Sequence, residues 1–214
     1  MSETAARDEA LAFMRELELR PIHVEHVARL AVQLFDQLVA LHGHGPRERL
    51  LLEAGALLHD IGQGHGSQAE GPQAEGSQTE GHHKRAARLI RERPWVHFSP
   101  PEVEVIAQVA RYHRKSMPEM AHDEFRALDD PTRRIVQHLA ALLRLADSFD
   151  RSHQQLVREV RVEVRPNQLL FHLDATGPVL REVTQAHTKG DLATAVFQCD
   201  LVFLVGNEVI KPGP

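Results

Sequence analysis

The chain has 214 residues, 42% of them hydrophobic and 26% charged, with a formal net charge of −5. This balance fits one globular domain, or one domain with a small appendage, and gives no electrostatic case for a specific nucleic-acid partner. No apolar run approaches the ~20 residues of a bilayer span, the opening MSETAARDEA lacks a signal-peptide core, and Cys199 has no second cysteine to pair with, so a cytoplasmic protein without a membrane role is expected.

In chain order, the first ~153 residues read as helical. Pro21 to Leu41 carries Val27, Leu30, Ala31, Leu34, Leu38 and Leu41 at helical spacing, and Gly43 and Gly45 end it. Pro46 suits a first helical turn, and Arg47 to Ile61 presents Leu50, Leu51, Ala54, Leu57, Leu58 and Ile61 before Gly62 stops it. Residues 64–81 are a degenerate Gly-, Ser-, Gln- and Glu-rich repeat with nothing to bury, so they are expected to be a disordered loop, a solvated insertion rather than a lid. Helices resume at His82–Arg93 and Pro101–Arg114, a looser segment covers 116–130, and a long helix spans Pro131 to about Ser152. The tail then changes period. Val157–Arg165 (VREVRVEVR) alternates as a strand does, Pro166-Asn167 makes a turn, Leu169–Leu173 is a second strand, 178–196 is helical and Asp200–Val205 is a third strand. The expected fold class is therefore mainly α: a helical domain over residues 1–153 followed by a small β-β-α-β unit over 154–214.

Fifteen residues are histidine, the commonest metal-ligand type. Six polar residues lie on, or at the mouth of, apolar helix stripes: His23, His59, Asp60, His82, His113 and Asp147. Buried imidazoles and carboxylates are costly unless something satisfies them, and a divalent cation would satisfy all six together. His26 competes with His23, and His83 with His82. The metal-free alternative is a set of core histidines bonded to backbone carbonyls, with Asp147 paired to Arg144 or Arg151. Lys84, Arg85 and Arg88 flank one histidine pair, and Arg111, Arg114 and Lys115 flank His113; converging cations of this kind suit an anionic phosphate.

The series H…HD…H…H…D, in the settings HVEHVARLA, ALLHDIG and LADSFD, resembles the HD superfamily of metal-dependent phosphohydrolases. The longer segments LLEAGALLHDIG, HHKRAARLI, VARYHRKSMP and LAALLRLADSFDRSH, with the strand-rich tail, look like the carboxy-terminal half of the exopolyphosphatase / guanosine pentaphosphate phosphohydrolase (Ppx/GppA) family. The glycine-rich phosphate loops of that family's actin-like half have no counterpart before His23, so its own catalytic mechanism does not carry over.

The resemblance implies an HD-domain helical bundle and hydrolysis of a phosphate ester or phosphoanhydride, nucleotide or polyphosphate-like, by a hydroxide formed on the metal. It implies one or two divalent ions, with Mn, Fe, Co, Ni, Zn and Mg left open. One ion would be held by His23, His59, Asp60 and Asp147, and a second, bridged by Asp60, by His82 and His113. Asp60 and Lys84 take catalytic roles, and Lys84, Arg114, Lys115 and Arg151 bind the substrate. The alternative implied is a non-catalytic polyphosphate- or nucleotide-binding, dimerising or regulatory module whose working surfaces are the basic flanks and strand Val157–Arg165. A homodimer is the expected assembly.

Overall fold

The computed structural model describes residues 2–63 and 81–212. The expectation of disorder over 64–81 lies, apart from Gly81, outside the described residues. Helices α1 (Glu3–Leu17), α2 (Pro21–Gln37), α3 (Val39–His42), α4 (Pro46–Leu58), α5 (His82–Glu92), α6 (Pro100–Arg111), α7 (Asp123–Arg126) and α8 (Asp130–Ser148) are followed by β1 (Val157–Arg165), β2 (Gln168–Ala175), α9 (Leu180–Lys189), α10 (Asp191–Phe197), β3 (Asp200–Val205) and β4 (Glu208–Val209). The molecule is mainly helical with one small sheet at its carboxy-terminal end, as the sequence implies.

The central helices α2, α4 and α8 pack on one another; α1 lies on α4, α6 on α4 and α8, and α5 on α6. Proline at the first turn starts α2, α4, α6 and α8, where its missing N–H costs nothing. The Asp129 side chain caps α8 by accepting from Thr132 N at 2.8 Å. α8 is buried nearly all round, from Val136 to Ala146, because α2, α4, α6, α9 and α10 all contact it. Two glycines set the closest approaches. A Cβ on Gly55 would meet Val109 Cγ1 at 2.8 Å, so α4 and α6 cross with no room to spare. A Cβ on Gly62 would meet the carbonyl oxygen of His82 at 2.2 Å, so the start of α5 rests on the turn after α4.

The sheet order is β1-β2-β3-β4, with β2 and β3 parallel and the outer pairs antiparallel. Val160, Val162, Leu169, Phe171, Leu173, Leu201 and Phe203 share one face by register and join the same apolar core as the helices. The outer edge of β1 is covered by α2. Gln37 Nε2 donates to Val160 O and its Oε1 accepts from Val162 N, both at 2.8 Å, so one side-chain amide imitates a neighbouring strand.

Three sequence expectations are corrected. The helix expected over Pro21–Leu41 breaks at Leu38, and Leu41, expected inside, is 39% exposed on the short α3. The tail is β-β-α-α-β-β: Gly190 divides the 178–196 helix, and a two-residue β4 adds an antiparallel edge. α1 was not foreseen as an element, although Ala6, Ala10, Phe13 and Met14 bury one face at helical spacing. Among the described residues no helix is long and apolar enough to cross a membrane.

Candidate metal centre

Five helix ends meet at one cavity. His23 lies in the first turn of α2, His59 and Asp60 follow the end of α4, His82 opens α5, His113 follows α6 and Asp147 is in the last turn of α8. Helix ends leave backbone groups unpaired, and two of the histidines use this. His59 Nδ1 donates to Ala56 O and His113 Nδ1 to Ala110 O, each at 2.6 Å and three residues back. Each bond places the proton on Nδ1 and leaves the Nε2 lone pair directed into the cavity. His23 is fixed differently. Its Nδ1 donates to Asp150 Oδ2 at 2.8 Å, and fully buried Asp150 also accepts from Gln155 N and Nε2.

The Nε2 atoms converge on two carboxylate oxygens. Asp147 Oδ1 lies 3.4 Å from His23 Nε2 and 3.6 Å from His59 Nε2. Asp60 Oδ1 lies 3.5 Å from His82 Nε2, 3.8 Å from His113 Nε2 and 3.9 Å from His59 Nε2. Three overlapping trios, His23/His59/Asp60, His59/His113/Asp147 and Asp60/His82/His113, each bring ligand atoms within 4.8 Å of one another. His23 Nε2 and His59 Nε2 are buried and have no hydrogen-bond partner. Nitrogen–oxygen gaps of this size are close to the roughly 3.4 Å edge of a tetrahedron around ~2.1 Å metal–ligand bonds. The donor set of imidazoles and carboxylates therefore fits a divalent ion.

The electrostatics agree with the geometry. Burial acts to raise both carboxyls, but the neighbouring imidazoles, His59 first, hold Asp60 down at about 2, and Lys189 with His23 and His59 holds Asp147 well below the usual carboxylate range. Burial acts to lower His23, yet the facing carboxylates of Asp147 and Asp150 lift it to about 9, the attraction for positive charge that a cation seated between these groups would satisfy in place of a proton. Burial dominates at His113, which stays well below its ordinary value and hence neutral. One buried and one partly buried carboxylate ringed by nitrogen donors form a cation trap.

The cavity holds about 460 Å³ and is lined by His23, Asp60, His82, His113 and Asp147 together with Arg20, Arg85, Arg114, Arg151 and Lys189. His83 is more buried than His82 but belongs to none of the trios, and His26 is bonded at Nδ1 to Arg29. Lys84 and Lys115, expected to bind phosphate, are both exposed and neither lines the cavity. Lys84 is two residues after His82, about 200° around the helix, and so faces outward. Lys115 has left-handed backbone (φ 61°), and its carbonyl is drawn to Arg144. Arg144 does not pair with Asp147; it bonds Asp191 at 2.6 Å and the carbonyls of Lys189, Tyr112 and Lys115.

Several site residues escaped the sequence reading. Lys189 Nζ donates to Asp147 Oδ2 from the end of α9. Arg20 donates to Asp60 Oδ2 at 2.9 Å and to Gln63, and it contacts the His153 ring, which lies against His23 at 4.1 Å between centroids, tilted by 40°. Buried Glu18 steadies that arginine by accepting from its backbone N–H. Asp150 was legible: it stands three residues after Asp147 in LADSFD, one helical step away. Lys189 was not, since nothing local ties residue 189 to residue 147.

Residues 7–193 match the Ppx/GppA phosphatase, domain III family, from within α1 to the first residues of α10. The chain belongs to that family of phosphatase domains, related to exopolyphosphatases. No curated protein matches the chain.

Proposed function

We propose that the chain is an HD-type metal-dependent phosphohydrolase that cleaves a phosphate ester or phosphoanhydride. One observation carries the reading: the Nε2 atoms of His23, His59, His82 and His113 surround the Oδ1 atoms of Asp60 and Asp147 on the floor of a cation-rimmed cavity. His23, His59, Asp60 and Asp147 would hold one ion, and Asp60, His82 and His113 a second. The chemistry such ions supply when bound is a water of lowered pKa and neutralisation of phosphoryl charge. Imidazole and carboxylate donors admit Mn, Fe, Co, Ni or Zn.

The chain's own residues perform the rest. Ala56 O, Ala110 O and Asp150 fix the rings of His59, His113 and His23, so the donors need little reorganisation. Arg114 and Arg151, both exposed at the cavity wall, are placed to draw in and orient an anionic phosphoryl group. Arg20 and Lys189 balance the charges of Asp60 and Asp147.

The test is metal content and hydrolysis of bis-p-nitrophenyl phosphate by the wild-type chain and Asp60→Ala. Metal should co-purify with, or be taken up by, the wild type alone, and turnover should fall about 10²–10³-fold or more in the variant, the cost of losing a charge-stabilising group. A folded Asp60→Ala protein with full metal and full activity ends the proposal.

A further inference from the structure

The last turn of α9 reaches the metal centre from the carboxy-terminal unit. Gln185 and Lys189, one helical turn apart, line the cavity beside the histidines. Lys189 Nζ donates to Asp147 Oδ2, whereas Asp147 Oδ1 faces His23 Nε2 at 3.4 Å and His59 Nε2 at 3.6 Å. The two oxygens of one carboxylate thus have different neighbours. One holds an ammonium, and the other faces two imidazole nitrogens that have no hydrogen-bond partner.

The lysine is gripped at two points by α8. Arg144 and Asp147 stand three residues apart on that helix and share a face. Asp147 takes the ammonium, and Arg144, 2% exposed, donates through Nε to the Lys189 carbonyl at 2.9 Å. That carbonyl is one of those a helix end leaves unpaired. Arg144 also bonds Asp191 at 2.6 Å, so both sides of the α9–α10 junction are tied to α8. Between them Gly190 leaves no slack: a Cβ there would meet Leu201 Cδ1 of β3 at 2.5 Å and Ala186 O at 2.6 Å. Holding a long lysine stem still costs side-chain entropy, and here backbone and side chain are held together. The residue type matters as well. A guanidinium forks over both oxygens of a carboxylate, while an ammonium is a point charge that can satisfy one.

We propose that Lys189 is a positioning residue: by occupying Oδ2 it makes Asp147 a ligand through Oδ1 alone, and so keeps one coordination position at the metal centre open. The proposal rests on the metal-dependent phosphohydrolase reading and adds the carboxy-terminal unit to its working parts. A catalytic metal site keeps a position for water or substrate, where a structural site is closed. A carboxylate free to bind with both oxygens would close it. The arrangement has a cost in metal affinity, because an ammonium repels a dication. Removing the ammonium should therefore strengthen metal binding while it weakens turnover, a pair of opposite changes that a merely structural ion pair does not produce.

The test compares the wild type with Lys189→Met, which keeps the length of the stem and removes its charge. Mn2+ affinity is read by competition with a chelator, Tm is read with and without Mn2+, and hydrolysis of bis-p-nitrophenyl phosphate is read at saturating Mn2+. Mn2+ should bind about tenfold tighter to the variant, the size of such a repulsion across a hydrated cavity. The metal-free variant should melt below the wild type, and Mn2+ should raise its Tm by more than it raises that of the wild type. Turnover should fall about 10–100-fold. Mn2+ binding that is equal or weaker in the variant, or turnover equal to that of the wild type, overturns the proposal. A variant that stays unfolded with Mn2+ present overturns it too, since the ion should replace the ammonium as counter-charge. A wild type that binds Mn2+ without hydrolysing the ester removes the catalytic reading, and the affinity and melting measurements then decide the role of Lys189. A wild type that takes up no Mn2+ removes the metal centre and this proposal with it.

Discussion

Gly62 is a buried, tightly packed joint beside the proposed metal centre, and Gly62→Ala tests it. The residue does not have positive φ, so its glycine character is a matter of space rather than of backbone freedom. An added Cβ would lie 2.2 Å from His82 O and 2.8 Å from Ala86 N, both backbone atoms that no rotamer change can move. To restore an ordinary 3.4 Å contact, the first turn of α5 must retreat by about 1.2 Å. His82 opens that turn, and its Nε2 is 3.5 Å from Asp60 Oδ1, so the retreat opens this pair while His23, His59 and Asp147 stay in place. Overpacking of this kind costs roughly 1–3 kcal/mol, which for a chain of this size lowers Tm by about 3–10 °C. Metal stoichiometry after dialysis should fall, with affinity at the His82 side weakened about 10–100-fold, the usual penalty for a displaced supporting contact. Elemental analysis, a thermal melt and hydrolysis of bis-p-nitrophenyl phosphate measure the three effects. A Gly62→Ala chain with wild-type Tm, metal content and turnover would refute the argument that α5 is seated on this glycine.

Two further outcomes are expected. Asp150→Ala removes the acceptor of His23 Nδ1 and should weaken metal binding about 10–100-fold without abolishing it, since His23 Nε2 keeps its place beside Asp147; competition with a chelator reads this, and an unchanged affinity refutes the positioning role. Glu102 accepts from Arg47 at 2.5 and 2.9 Å and from Ser99, and these bonds hold its carboxyl down to about 2 against 4.5. Its contribution is therefore complete above about pH 4.5 and lost as pH falls toward 2. The shift corresponds to at most ~3 kcal/mol, and with the Glu102 side chain 23% exposed the expectation for Glu102→Gln is roughly 1–2 kcal/mol near pH 7. Melts of the two proteins from pH 7 to pH 2.5 should converge as the acid limb is entered; a difference that grows toward low pH contradicts the sign.

The sequence by itself determined what each segment could be and what its ends carried. β1 and β3 have the limits that alternation and the turn residues assign. The helices that bear the candidate ligands begin at the prolines and the histidine expected of them, within a residue. Periodicity favours His82 over His83 as the ring beside Asp60, and His82 Nε2 lies 3.5 Å from Asp60 Oδ1, because position on a helix fixes direction around its axis. Local pattern failed where two segments meet. Lys84 and Lys115 share a neighbourhood in sequence with His82 and His113 but turn to solvent, while Lys189 reaches Asp147 from 42 residues away. Arg144 satisfied itself on Asp191 and backbone carbonyls instead of Asp147. The tertiary structure decided these because contact between helices depends on how closely their backbones approach. That approach is set by absent side chains at Gly55 and Gly62 and by one shared apolar core, neither of which has a period to read.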